Sequence, residues 1–137
     1  MLLDIHPDGP QPIYEQIVSG VIFAVASGQL EEGALVPSVR EQAGKLLVNP
    51  NTVARAYQEL EREGIIAARR GLGMEVADGA PAKCRSRRQA IVRQRIREAL
   101  REAVASALPG DELRALVEEE LSRANGQASR RSAKGAS

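Results

Sequence analysis

Two helix-start signals eleven residues apart constrain this chain most. Ser38 stands three positions before Glu41, the spacing at which a serine hydroxyl accepts from the N3 amide while the carboxylate returns to the cap amide. Asn49 followed by Pro50 is the second start, since asparagine is a strong N-cap and proline loses nothing at the first helical position. Between them Val39, Ala43 and Leu46 mark an inward face, which leaves Leu47-Val48-Asn49 room only for a tight turn. After Pro50, the expected buried stripe is Val53, Ala54, Tyr57 and Leu60, with Gly64 as the C-terminal stop.

The flanks extend this pair into a larger unit. Following the turn-forming Pro7-Asp8-Gly9-Pro10, Pro12 suits a first helical turn. Ile13, Ile17 and Val21, with Tyr14, Val18, Ile22 and Val25, then recur at the three- and four-residue intervals of a helix that Gly28 ends. Residues 30–37 read as a loop with a few extended residues. Ile65-Ile66-Ala67-Ala68 and Met74-Glu75-Val76-Ala77 are short strands separated by Arg69-Arg70-Gly71-Leu72-Gly73, a flexible and positive hairpin tip. Helix, helix, tight turn, helix, hairpin is the order of a winged helix-turn-helix. The expected fold is mainly α with a small β-hairpin, the winged unit covering residues 10–78.

Such a unit suits double-stranded DNA. The helix after the tight turn keeps one face in solvent and can present short polar side chains to the roughly 12 Å wide major groove. Asn49, Asn51, Thr52 and Arg55 lie at its N-terminal end, where the helix dipole and free amides also favour a phosphate. Asparagine can bond adenine twice, threonine can touch a thymine methyl or a phosphate, and arginine can pair with guanine or a phosphate. The plainer reading is that Asn49 only caps and that Asn51 and Thr52 only start a helix.

Composition excludes other work. The 137 residues hold one His (His6), one Cys (Cys84) and three aromatics, too few for a zinc cluster within one chain, a disulfide, or a stacking platform for single strands. A catalytic triad would need His6, close to a terminus expected to be mobile. Cys84 reads as an inert thiol. No paired carboxylates, activated nucleophile or phosphate-binding glycine loop stands at useful spacing, so neither an enzyme nor a cofactor is expected. The apolar run from Val21 to Ala26 is far below the roughly 20 residues of a membrane span. With no signal peptide either, a cytoplasmic protein without membrane contact is expected.

The near-neutral total conceals a division. Residues 1–80 carry six basic and eleven acidic residues, a net of −5, while residues 81–137 carry thirteen basic and seven acidic, a net of +6. Lys83, Arg85, Arg87, Arg88, Arg93, Arg95, Arg97 and Arg101 face a single acid, Glu98, over that stretch. A solvated helix face and a surface for phosphates both fit, and Arg85, Arg87 and Arg88 are the candidates for phosphate contact. Residues 79–85 read as a linker. Val92, Ile96, Leu100 and Val104, with Ala99, Ala103 and Ala107, form one stripe of a helix over residues 86–108, near 35 Å long. Pro109-Gly110 breaks it, Asp111 caps a second helix bearing Leu113, Leu116, Val117 and Leu121, and Asn125-Gly126 stops that one. Two such faces need a further surface, most economically a second copy of the chain, with the chain's own winged helix as the alternative. Residues 86–125 are therefore read as a helical dimerisation appendage, and residues 126–137, small, polar and basic, as a disordered tail.

The sequence also resembles a known family. Pro12-Ile13-Tyr14-Glu15-Gln16-Ile17, Gly28-Gln29-Leu30, Gly33, Val36-Pro37-Ser38-Val39-Arg40-Glu41, the run Val48 to Tyr57, the run Leu60 to Ile66, and Arg69-Arg70-Gly71-Leu72-Gly73 closely resemble the DNA-binding domain of GntR-type bacterial transcription regulators. The Asn-Pro-Asn-Thr-Val variant and the short C-terminal part are most similar to the YtrA-like subgroup. The resemblance implies a homodimeric, sequence-specific DNA binder, most often a repressor, acting on a palindromic operator. By position it implies DNA contact by Arg40 beside Ser38, reading by Asn49, Pro50, Asn51 and Thr52, and approach of Gly71 to the minor groove. Family members with arginine at the positions of Pro50 and Ala54 make contacts this chain lacks, which leaves Arg55 as the charged reader. The usual Gly-Lys-Gly-Thr-Phe-Val wing is here Gly71 to Val76, so Arg69 and Arg70 carry the wing charge. A small-molecule effector, if the protein takes one, is expected between the C-terminal helices or at the dimer interface. A winged helix used only for protein contacts is the alternative function.

Overall fold

The computed structural model describes residues 3–136, with side chains through residue 130. Five helices and one hairpin follow in chain order: α1 (Ile13–Ala26), α2 (Val39–Leu46), α3 (Pro50–Arg62), β1 (Ile66–Arg69), β2 (Gly73–Val76), α4 (Ala80–Ala105) and α5 (Gly110–Ala136). The chain divides into two compact units, one ending at Arg93 and the other beginning at Gln94. No helix among the described residues is long and apolar enough to cross a membrane.

The first unit is the expected winged helix-turn-helix. Pro12 is the N-cap of α1, with extended backbone (φ −55°, ψ 150°), rather than its first helical residue. Gly28 and Gly64, at φ +85° and +77°, take the left-handed conformation one residue beyond the caps of α1 and α3. At the start of α2 both halves of the capping box form: Ser38 Oγ accepts from Glu41 N at 3.1 Å and Glu41 Oε1 accepts from Ser38 N at 3.4 Å. The tight turn passes through Leu47 in the left-handed region (φ 55°, ψ 46°), its side chain in solvent. Asn49 Oδ1 then caps α3 by accepting from Asn51 N at 2.8 Å.

One core holds these pieces. Ile17, Val21, Ile22 and Val25 of α1 meet Val53, Ala56, Tyr57 and Leu60 of α3, and Ile65, Ile66 and Val76 of the hairpin close the other side. The stripe on α3 thus contains Ala56, fully buried, where Ala54 was expected; Ala54 is only half-buried. Positions 53, 56, 57 and 60 follow the three- and four-residue spacing of a single face, and Ala54 lies beside it. On α2 the buried pair is Gln42 and Ala43, with Val39 and Leu46 half-buried. Tyr57 Oη donates to Pro37 O at 2.7 Å, tying α3 to the segment before α2.

The wing is broader than its two strands. β1 and β2 pair antiparallel, Ile66 opposite Val76 and Arg69 opposite Gly73. The far edge of β2 binds the segment before α2: Gly33 N donates to Val76 O (2.8 Å), Val76 N to Ala34 O (2.9 Å) and Val36 N to Met74 O (2.9 Å). The few extended residues expected in that loop are the ones around Leu35, which bridges to Glu75.

Three expectations at the ends of elements are corrected. Residues 79–85 are not a linker, because α4 begins at Ala80, and Ala80 and Cys84 are fully buried with Ile91 packed beside them. The small side chains of Ala80 and Cys84, four residues apart, let this helix lie close to the core, and the joint of residues 77–79 turns through Gly79 (φ +78°). Residues 126–136 are not disordered either. α5 passes through Asn125-Gly126 to Ala136, with Ser137 outside the described residues; one interior glycine costs a helix only about 1 kcal/mol, and Gln, Ala and Arg favour it. α5 starts at Gly110, so Asp111 lies in the first turn, where its carboxylate complements the helix dipole, rather than at the cap.

The N-terminal arm is also held, contrary to the expected mobility near His6. Gln16 Oε1 accepts from His6 N (2.7 Å), and Gln16 Nε2 donates to His6 O (2.8 Å) and Gln11 O (2.9 Å). Leu3 and Ile5 pack on the core.

Two stability predictions follow from the core. Both amide atoms of Gln42 are buried without a hydrogen-bond partner among the described residues, a desolvation cost that leucine removes. Gln42→Leu is expected to gain about 1 kcal/mol or more in urea unfolding; a loss would contradict this. Burial, reinforced by Glu41, pushes the Tyr57 hydroxyl from 10.0 to about 12. Between those values the unfolded chain ionises and the folded one does not. Stability contributed by the neutral hydroxyl is therefore whole below about pH 10 and falls by roughly 1.4 kcal/mol per unit as pH rises to about 12. Unfolding curves of Tyr57→Phe should show a shallower slope in that window, and an unaltered slope would refute the assignment.

Candidate nucleic-acid interface

The buried stripe of α3 decides what its other side offers. With Val53, Ala56, Tyr57 and Leu60 inward, Asn51, Arg55, Gln58 and Arg62 fall on the exposed side at three- and four-residue spacing. Asn49, Pro50 and Asn51 are exposed at the N-terminal end, and Thr52 is half-buried. Gln58 was absent from the sequence candidates; its position two turns after Asn51 and one turn after Arg55 is the signal that points to it. Asn49 spends its carbonyl oxygen on the cap, so its amide nitrogen is the group left for a ligand. Ser38 likewise spends its hydroxyl in the capping box.

The basic residues of this unit fall into two groups. Arg62 pairs with Glu59, and Arg69 pairs across the hairpin with Glu75 at 3.3 Å. Arg40, Lys45, Arg55 and Arg70 make no ion pair among the described residues. Arg40 is exposed in the first turn of α2. Arg70 and Gly71 are exposed at the wing tip, where Gly71 sits at φ +79°, a conformation that costs other residues energy. Arg69 therefore brings less net charge to the wing than the sequence suggested. Arg55 is held differently: its guanidinium carbon lies 3.7 Å from the centroid of the Tyr14 ring. Tyr14, on α1, was not among the sequence candidates.

Of the three arginines considered for phosphate contact, Arg87 has a partner in the chain. Its Nε donates to Glu63 Oε1 at 2.7 Å, joining α4 to the C-cap of α3. Arg85 is exposed and Arg88 half-buried. Next to this pair, burial first and Glu63 second push the Cys84 thiol up against the opposing pull of Arg87 and Lys83, so the thiol stays protonated and unreactive.

The apolar residues assigned to dimerisation stand largely in solvent. Val92, Ile96, Leu100, Val104, Leu116, Val117 and Leu121 are 38% to 67% exposed, and Leu113 is half-buried.

Comparison with known proteins agrees with this geometry. The family described as bacterial regulatory proteins of the gntR type matches residues 13–76. The HTH-type transcriptional repressor YtrA of Bacillus subtilis is 32% identical over 118 residues, 86% of this chain and 91% of its own length. A GntR family transcriptional regulator from Listeria monocytogenes superposes with a TM-score of 0.65 at 33% identity, covering 82% of this chain and 97% of that one. YtrA from Sulfolobus acidocaldarius, a GntR-family transcription factor, gives a TM-score of 0.56 at 32% identity over 73% of this chain and 98% of its own. The chain belongs to the GntR family of DNA-binding transcription regulators, on its YtrA-like side.

Proposed function

We propose that this protein is a homodimeric transcription repressor that binds a palindromic operator, with the N-terminal half of α3 in the major groove and the wing at the minor groove. The observation that carries the reading is the polar face of α3, with Asn51 and Arg55 exposed and Thr52 half-buried, together with the exposed Arg40 of α2; neither arginine makes an ion pair among the described residues. Asn51 and Thr52 read base edges, while Arg40 holds a phosphate near the start of α2. Asn49 contributes its amide nitrogen, and Pro50 shapes the close approach. Arg70 and Gly71 supply the minor-groove contact, with Arg69 sharing its charge with Glu75. The sign of regulation is carried over from the Bacillus subtilis relative, which is a repressor.

Dimerisation follows from exposure and from electrostatics. Apolar side chains repeating every four residues on α4, from Val92 to Val104, and those of α5 from Leu113 to Leu121 are the surface a second copy covers. Residues 1–80, at net −5, neutralise few phosphates by themselves, so a second reading helix and added cations raise affinity. Arg85 and Arg88 supply those added contacts; Arg87 serves the joint with Glu63. In a dimer of this kind the half-sites lie about 10 base pairs apart or a multiple of that.

Three results test this. Arg40→Ala and Asn51→Ala are each expected to weaken binding to a promoter fragment about tenfold or more while leaving the circular-dichroism spectrum unchanged; wild-type affinity in both would refute the placement. Wild-type binding to scrambled DNA as tight as to the promoter would favour the protein-contact alternative. Ile96→Glu with Leu121→Glu should sediment near the chain mass of 14.7 kDa, against twice that for wild type, and should lose operator affinity. A monomeric wild type would contradict the assembly.

A further inference from the structure

The structure assigns a role to Tyr14 that the reading of α3 alone does not include: its ring positions Arg55 for DNA contact. This rests on the proposal that the N-terminal half of α3 enters the major groove. The held arginines of the first unit are of two kinds. Arg62, Arg69 and Arg87 are held by carboxylates and partly neutralised. Arg55 is held by a ring, 3.7 Å from guanidinium carbon to centroid, and makes no ion pair among the described residues. It is immobilised without losing its charge.

That combination is what a pre-organised contact needs. The five donors of a guanidinium lie in its plane, and stacking covers the face of that plane while leaving the edge free for a guanine or a phosphate. An unsupported arginine must give up rotamer freedom on binding, whereas a stacked one has already done so. The platform itself is fixed, because Tyr14 is half-buried on α1, which packs along α3 through the core. Its hydroxyl donates to Glu15 Oε1 at 3.4 Å, a long bond, so the ring rather than the hydroxyl carries the function. Tyr14 is thus a positioning residue, acting through Arg55.

A double-mutant cycle in the full-length chain tests this by operator affinity, with melting temperature recorded for each variant. Arg55→Ala is expected to weaken binding about tenfold, Tyr14→Leu about three- to fivefold, and Tyr14→Phe less than about twofold, since phenylalanine keeps the ring. The Tyr14→Leu/Arg55→Ala double variant should bind no more weakly than Arg55→Ala alone. Additive losses would overturn the inference, as would wild-type affinity in Tyr14→Leu. A second variant avoids any fault in folding at Tyr14: Arg55→Lys keeps the charge but not the flat fork, and is expected to lose most of what Arg55→Ala loses. Wild-type affinity in Arg55→Lys would overturn the inference too. If Arg55→Ala binds normally while Arg40→Ala and Asn51→Ala fail, only this inference falls; if wild type shows no preference for operator, the reading beneath it falls as well.

Discussion

The burial of one face of α3 against α1 and the hairpin is the constraint on which the rest depends. Val53, Ala56, Tyr57 and Leu60 can be inward together only if Asn51, Arg55 and Gln58 are outward, so packing energy and the chemistry of the exposed face are settled by the same rotation of the helix. The Tyr57 hydroxyl on Pro37 O reinforces this, because it joins α3 to the segment that also forms the third side of the wing. Helix, turn and wing are thereby joined through one set of contacts.

Charge is arranged around that frame with some economy. The first eighty residues are net negative, and several of their acids are spent on structure. Glu41 completes a cap, Glu75 and Glu63 each hold an arginine, and Glu32 accepts from the amide of Gly79 at the joint before α4. The charges left outside any ion pair on the exposed side of α2, α3 and the wing tip are mainly basic, Arg40, Lys45, Arg55 and Arg70 against Glu61 and the capping Glu41. Local distribution, not the total, is what a nucleic-acid partner meets.

Much of this was legible in the sequence where a feature depends on neighbours in the chain. The capping box of Ser38 and Glu41, the Asn49 cap, the glycine stops at Gly28 and Gly64 and the hairpin each involve residues within a few positions of one another, and these formed, whereas the stop expected at Gly126 did not. Features that depend on distant partners were not. Tyr14 and Arg55 lie on different helices, and Glu63 with Arg87 are 24 residues apart, so no local pattern announces either pair. Apolar counting also misjudged the small and polar positions: Gln42 is buried although polar, Ala56 rather than Ala54 completes a face, and Ala80 with Cys84 looked like linker because their stripe is made of small side chains among charges. The helical stretch after Gly126 was read as tail for the same reason, since its composition lacks an apolar face but does not forbid a helix.

The most direct test of the account is a chemical footprint of the wild-type protein on the promoter of its own operon. Two protected major-groove patches about one helical turn apart, related by the symmetry of the site and flanked by minor-groove protection, are the expected result. Uniform protection along the fragment, or none beyond that on scrambled DNA, would contradict it.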